Sequence, residues 1–365
     1  MIYLDSGATS FRKPKKVYYA VQHAMETCAN TGRGSYPAAM TASAVVYRCR
    51  EQAAALFHCQ PEQVVFTMNC THGLNIAIGS IVKPNMKVVI SGFEHNAVSR
   101  PLYALGANVI IAGHRLFDWE NTLEEFEDAL RKGARAAVFT HCSNVFGYIL
   151  PIEEMAALCK KYCVPFTIDA AQSAGALPVD FHKLGADFIA MPGHKGLLGP
   201  QGTGILLCGR IPKPLFYGGT GSLSNLQTMP DFLPDIAEAG TLNVPGIAGL
   251  SAGLEYIGRT GIQSIGERER QEAERCVVGM KRLGLKVFNG EHQGGTVSFL
   301  PDGDCELFAQ KLSEHGVAVR AGLHCAPIAH NTAGTLDTGT VRISFGYDAN
   351  IGQSLNFLKI LENIL

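Results

Sequence analysis

Met191-Pro192-Gly193-His194-Lys195-Gly196 closes an apolar run that begins at Phe188, and Ile168-Asp169-Ala170-Ala171-Gln172 closes an earlier one. A lysine bracketed by glycines, a histidine before it and a carboxylate at the end of a preceding strand are together the equipment for a pyridoxal phosphate (PLP) Schiff base. The lysine supplies the imine, and a buried aspartate pairs with the pyridinium nitrogen so that the ring stays an electron sink. Either piece alone is ordinary. Gly-His-Lys-Gly is a common loop composition, and an aspartate after a strand often caps the next helix. The pair gains weight from matching pieces elsewhere in the chain.

The 365 residues, 47% of them hydrophobic, suffice for a large core and two domains. Basic and acidic residues nearly balance, 31 against 32, and no basic run stands out, which disfavours a nucleic-acid partner. The start Met1-Ile-Tyr-Leu-Asp5 is strand-like and lacks the basic stretch and apolar core of a leader. No apolar run approaches the ~20 residues that cross a bilayer. The expectation is a cytoplasmic protein without a membrane partner. Eleven cysteines, odd in number, scattered and without a CxxC pair, point to reduced thiols rather than a disulfide framework or zinc site. Cys159 and Cys163 read as two small apolar residues one helical turn apart.

From residue 63 to residue 208, short apolar runs alternate with amphipathic stretches. The runs are 64–67, 87–91, 108–112, 136–140, 165–169, 188–191 and 204–208. Helical spacing marks 122–131 and 152–161, the first opening on a Thr122-x-x-Glu125 capping box. Continuous apolar strands with helical crossovers predict a mostly parallel seven-stranded sheet covered on both faces, with ligands bound beyond the carboxyl ends of its strands. After a Gly/Pro-rich connection the pattern changes to long helices at 246–256 and 262–283, then to a smaller α+β pattern from about residue 286. The division expected is a large α/β domain over 15–245 and a small α+β domain built from 1–14 and 246–365.

Polar residues collect at the predicted strand ends. Thr71-His72-Gly73 opens a helix, where a hydroxyl and free amides suit a phosphate. His95 follows the second strand, placed to lie on a heterocycle or relay protons. Asn144 and Gln172 are neutral hydrogen-bonding residues suited to a pyridoxal hydroxyl. Arg320-Ala-Gly-Leu-His324-Cys325-Ala-Pro327 reads as an exposed, mobile loop whose thiol, with His324 and Arg320 near it, would have a lowered pKa. Arg342, inside the strand pattern 341–345, calls for an anion, and a substrate carboxylate is the natural one.

Taken together these stretches resemble the cysteine desulfurase family of class V aminotransferase-type, fold-type I PLP enzymes, nearly end to end. The matching pieces run from Tyr3-Leu-Asp5-Ser-Gly-Ala-Thr through Asn69-Cys-Thr71-His-Gly-Leu-Asn, Glu94-His95-Asn, His141-Cys-Ser-Asn144, Asp169-Ala-Ala-Gln172, Gly193-His194-Lys195 and Ala239-Gly-Thr241 to Arg320-x-Gly-x-His-Cys325-Ala and Val341-Arg342. The last cysteine motif is similar to the branch holding SufS-like desulfurases and selenocysteine lyases. The resemblance implies that Lys195 carries the cofactor, Asp169 faces the pyridinium, and His95 stacks on the ring. It implies that Asn144 and Gln172 support the pyridoxal oxygen and substrate, and that Thr71, His72 and His194 hold the cofactor's phosphate end. It further implies that Thr241 reaches the phosphate of a neighbouring subunit in a homodimer, that Arg342 binds the substrate carboxylate, and that Cys325 accepts sulfur as a persulfide before passing it to an acceptor protein. Three positions depart from the family: Pro192 replaces a common serine, Cys70 a common threonine, and Leu323 the first histidine of the thiol motif.

The expected reaction converts L-cysteine to L-alanine. Lysis of selenocysteine, or β-elimination from cysteine or cystine, uses the same residues with Cys325 dispensable, and fold alone does not separate these. A catalytically silent scaffold is disfavoured because the lysine, aspartate and arginine are all present. Transamination would leave the cysteine loop without a task.

Overall fold

The computed structural model describes residues 1–32 and 34–365. The chain opens with β1 (Ile2–Tyr3), α1 (Lys15–Thr27) and α2 (Pro37–Phe57). It continues through β2 (Val64–Thr67), α3 (Cys70–Ile81), β3 (Lys87–Ser91), α4 (Asn96–Ala104), β4 (Asn108–Ala112), α5 (Trp119–Arg131) and β5 (Ala136–Thr140). Then come α6 (Ile152–Tyr162), β6 (Phe166–Asp169), α7 (Phe181–Leu184), β7 (Phe188–Pro192) and β8 (Gly204–Cys208). These give a seven-stranded sheet of order β2-β8-β7-β6-β5-β3-β4. It is parallel from β7 through β4, and β8 runs antiparallel to both its neighbours.

Both faces of that sheet are apolar because adjacent side chains on a strand point opposite ways. Val88, Ile90, Ala136 and Val138 pack with α3 and α4, while Val89, Ala137, Phe139 and Phe166 pack with α2, α5 and α6. Each valine, isoleucine or phenylalanine among them, fully buried, stabilises the fold by about 1.5–3 kcal/mol. The sequence therefore has to show unbroken apolar runs rather than alternation, and the seven runs fall on the observed strands.

The remaining chain forms α8 (Val244–Thr260), α9 (Ile262–Arg282), β9 (Lys286–Phe288), β10 (Thr296–Leu300), α10 (Cys305–Glu314), β11 (Val317–Ala318), β12 (Arg320–Gly322), α11 (Pro327–Ala333), β13 (Thr340–Ser344) and α12 (Ile351–Ile364). A four-stranded antiparallel sheet, β12-β13-β10-β9, carries this part. A separate apolar cluster gathers Leu4, Cys276, Phe299, Phe308, Ile343 and Phe357. The N-terminus joins it: Ile2 and Tyr3 pair in parallel with Val317 and Ala318. Helix α8 packs instead on α1 and α2.

Two local expectations are corrected. Helix α5 starts a turn before the expected Thr122 capping box, because Asp118 caps it, accepting from the Asn121 amide at 2.8 Å. The Trp119 indole then donates to the Ile149 carbonyl and stacks on His292, fixing that first turn. Glu125 turns to the Gly113 amide and His114 instead. Cys159 is buried, but Cys163 is exposed at the left-handed C-cap of α6 and is not a core residue.

Candidate active site

Lys195 follows β7 in a turn that only glycines permit. A Cβ on Gly193 would lie 2.1 Å from the Thr203 hydroxyl oxygen, and one on Gly196 would lie 2.3 Å from the Ala174 carbonyl. This close approach aims the lysine into an inner cavity of about 200 Å³, whose wall also includes Cys70, Thr71, His95, Asn144, Asp169, Gln172 and His194. Burial, then the Arg342 guanidinium, lower the Lys195 pKa against the opposing pull of Asp169. The direction favours a neutral amine, the form that acts as nucleophile or base.

Asp169 ends β6. Its Oδ1 takes the Ala171 amide at 2.8 Å and the Cys70 thiol at 3.4 Å, whereas Oδ2 has no protein donor among the described residues. Cys70, the departure from the family threonine, is thus a donor that orients this carboxylate. His95 caps α4: its Nδ1 accepts the Ala97 amide at 3.0 Å, which places the neutral ring's proton on Nε2. Burial lowers its pKa, with Asp169 acting in the opposite sense.

Thr71 lies in the first turn of α3. Asn69 caps that helix by accepting the His72 amide at 2.9 Å, which leaves the Cys70 and Thr71 amides with no intrahelical acceptor. The His72 ring turns away. Its Nδ1 accepts the Met68 amide at 3.2 Å and it packs on Phe216, so the imidazole is not part of the cavity wall. His194 meets the Thr9 hydroxyl at 3.0 Å, and burial followed by Lys195 and Lys13 pushes its pKa down to about 4, leaving a neutral ring. Asn144 donates its amide to the His324 carbonyl at 2.8 Å, and Gln172 donates to the Gly7 carbonyl at 2.9 Å. Their amide oxygens have no protein donor among the described residues.

Cys325 is exposed on the loop between β12 and α11. It borders an outer cavity of about 370 Å³ with Asn75, Asn96 and Arg100, and the two cavities share Thr71, His95 and Ala97 as walls. The loop is anchored by the Asn96 amide donating to the Cys325 carbonyl at 2.7 Å and by the bond from Asn144 to His324. His324 and Cys325 hold φ of 51° and 55°, two successive non-glycine residues in the left-handed region. That conformation is strained and persists only where the surroundings enforce it. Of the two cationic neighbours expected for this thiol, one is neutral and the other is shared with a carboxylate. His324 is buried, stacked on His330 and neutral, its pKa pushed down to about 3 by burial and then by Arg342. Arg320 pairs with Asp5, Nη2 to Oδ2 at 2.9 Å.

Arg342 is 2% exposed and already holds a carboxylate. Its Nη2 donates to Asp5 Oδ1 at 2.6 Å and its Nη1 to the Asn144 carbonyl at 2.8 Å, while its buried Nε has no partner among the described residues. The internal carboxylate is what the sequence reading missed. Asp5 belongs to the N-terminal stretch, as do Gly7, Thr9 and Ser10, whose contacts fix Gln172 and the His194 backbone. Their signal was the Tyr3–Thr9 motif itself, which carried a resemblance but no role. Thr241 is exposed and is not part of this protomer's cavity wall.

These residues fit PLP. A carboxylate with one oxygen saturated and one open, a half-buried lysine of lowered pKa and a helix start with uncommitted amides are what a pyridinium, an imine carbon and a phosphate require. Residues 2–353 match the aminotransferase class-V family. The chain is 32% identical to a probable cysteine desulfurase of Methanothermobacter thermautotrophicus, over 100% of this chain and 94% of that protein. It is equally similar, with the same coverage, to a probable cysteine desulfurase of Pyrococcus abyssi. The apo structure of a cysteine desulfurase from Thermococcus onnurineus superimposes with a TM-score of 0.91 at 31% identity, covering 100% of this chain and 94% of that one. With its seven-stranded sheet and its lysine–aspartate pair at adjacent strand ends, this chain belongs to the class-V aminotransferase family of fold-type I, PLP-dependent enzymes.

Proposed function

We propose that the protein is a PLP-dependent cysteine desulfurase that converts L-cysteine to L-alanine and takes the sulfur on Cys325 as a persulfide. The observation that carries this reading is the pair of cavities sharing Thr71, His95 and Ala97, with Lys195 in the inner one and an exposed thiol on the outer one. Bound PLP supplies the electron sink that makes the Cα proton of the substrate removable. Asp169 Oδ2 would face its ring nitrogen and His95 its ring face. Thr71, the first amides of α3 and His194 would hold its phosphate, and Asn144 and Gln172 its hydroxyl oxygen. Lys195, neutral by burial, takes the Cα proton. Arg342 receives the substrate carboxylate, its free Nε complementing the hold of Asp5.

The Cys325 thiolate attacks the substrate sulfur. The Cβ–S bond breaks, the Sγ–S bond forms, and protonation of the carbon releases alanine, so that one thiol and one cysteine become one persulfide and one alanine. The exposed position of Cys325 then suits hand-over to an acceptor protein. We also propose a homodimer with shared sites, supported by the exposed Thr241 and by exposed Ile211, Leu215, Phe216, Leu223, Leu226 and Phe232 on the preceding segment. Eleven free cysteines support a reducing compartment, the cytoplasm.

The second reading is selenocysteine or cystine lysis. It is favoured by the burial of His324, which is stacked on His330 and neutral and so leaves the thiol without its histidine cation. Holoprotein given L-cysteine, L-selenocysteine or L-cystine, with alanine, pyruvate and sulfide quantified, separates the readings. Desulfuration yields alanine and one added sulfur on Cys325 by mass spectrometry; pyruvate with unmodified Cys325 overturns it.

A further inference from the structure

Strand β2 is the edge of the seven-stranded sheet, so one side of it faces no neighbouring strand. Exposed strand edges must be covered or they pair with other chains. Here the cover is a buried ion pair. Arg50, from α2, donates through Nη1 to the Val64 carbonyl, and Glu238 Oε1 accepts the Phe66 amide at 2.6 Å. The two side chains bond each other and are 9% and 6% exposed, with the Arg50 guanidinium 4.6 Å from the Phe66 ring centre. One acceptor and one donor, presented at alternate residues, replace the strand that is missing.

Each end of this pair leads to a different phosphate-binding element. On one side, β2 runs straight into Met68-Asn69-Cys70-Thr71, which brings Thr71 to the inner cavity. On the other, Glu238 is followed by Ala239-Gly240-Thr241, and among the described residues that tip is held by the bond from the Gly240 amide to the Gly219 carbonyl at 2.8 Å. Gly240 has φ of 99° with open space around it, and Thr241 is exposed. A loop tip this open, rooted on a carboxylate this buried, is positioned for a surface outside its own protomer.

We propose that Arg50 and Glu238 are positioning residues that fix the Thr241 loop for the partner subunit's cofactor site, rooting it on the same strand that delivers Thr71 to the protomer's own site. The inference rests on the homodimer reading above. It assigns the main effect in trans: damage to Glu238 weakens the site across the interface.

The test uses full-length holoprotein and counts cofactor bound rather than turnover. Apo-protein is titrated with PLP, and cofactor fixed to Lys195 by borohydride is measured by mass spectrometry. The Glu238→Ala homodimer should bind PLP about tenfold more weakly, the scale of one lost hydrogen bond to a charged group. A heterodimer of one Glu238→Ala protomer with one Lys195→Ala protomer should recover wild-type affinity at its single lysine, because that site receives an intact loop. Placing both substitutions on one protomer, opposite a wild-type chain, should leave the single lysine site weak. Equal weakness in both heterodimers, or an unchanged homodimer, overturns the proposal. Should Glu238→Ala fail to fold, Glu238→Gln keeps an acceptor for Phe66 while removing the charge, and the same comparison decides. Light scattering on the wild type separates the failures: a monomer sinks the homodimer reading and this inference together, whereas a dimer without recovery in trans sinks the inference alone.

Discussion

Lys195 and Asp169 stand at the ends of strands buried along their whole length, whereas Cys325 stands exposed on a loop held by two backbone contacts and two left-handed residues. The contrast follows from what each side must do. Groups that face a cofactor work through fixed distance and low dielectric, and the end of a packed interior strand provides both. A group that takes an atom from one molecule and hands it to another has to be reached from outside. Burial serves the first and defeats the second. A histidine-flanked thiol in sequence looks electrostatically activated, yet in the fold the histidine is buried and neutral. What the loop supplies instead is an enforced conformation that presents the thiol.

The most severe break of the buried half is Lys195→Ala, which should lower alanine release by at least about a thousandfold, since it removes both the covalent anchor and the base. Residual turnover near wild type would place the base elsewhere. On the exposed half, Cys325→Ala should reduce conversion of L-cysteine to alanine to background while leaving PLP affinity unchanged, as titration of the apo-protein would show. Unchanged alanine yield would move the protein to the lyases.

Asp5→Ala tests the link between the halves, because Asp5 holds Arg342 on one side and Arg320 on the other. Stranding a buried arginine should destabilise the fold by about 3–5 kcal/mol in urea unfolding. A change no larger than that of a surface substitution would show that Arg342 finds another anion.

Glu269 sharpens the comparison with pH. It lines a narrow cavity behind Lys195 with Cys142 and Gln172, and burial, then Asp348, pushes its pKa up from 4.5 to about 8. Below pH 4.5 the carboxyl is protonated in both folded and unfolded chains, so it has no effect. Between pH 4.5 and 8 the unfolded chain ionises while the fold keeps the proton, and stability falls by at most about 1.4 kcal/mol per pH unit before levelling off. Glu269→Gln should remove that slope, so that the variant gains on wild type from pH 5 to 8 in thermal melts. Parallel wild-type and variant profiles would refute the assignment.

The smallest effect concerns the loop's anchor. Asn144→Ala removes the bond to the His324 carbonyl, worth about 1 kcal/mol. Hydrogen exchange across residues 323–326 should accelerate roughly fivefold, the population change that such an energy implies. No acceleration would mean that the Asn96 contact alone fixes the thiol.

Much of this was legible in the chain. The seven strands were visible because a sheet covered on both faces demands continuous apolar runs, and β5, β6, β7 and β8 are buried at every position. The groups of the inner cavity were visible because they follow those runs directly. The start of α5 was misread because Thr122 and Asp118 both suit a cap, and the contact of Trp119 with Ile149 and His292, distant in sequence, decided between them. His72 was grouped with Thr71 as part of a helix start whose free amides suit a phosphate, but its amide is taken by Asn69. Successive residues in a helical turn point about 100° apart, and its ring went to Met68 and Phe216.

By itself the sequence determined the sheet, the order of its strand-end residues and the lysine–aspartate pair, since each depends on local pattern: apolar periodicity, glycine brackets and helix starts. Only the tertiary structure decided which charge meets which. Asp5 finding Arg342 and Glu238 finding Arg50 join residues from separate parts of the fold. Burial makes such partners obligatory, because an ion left unpaired in the interior is destabilising, but which partner lies within reach is set by how the sheets and helices pack.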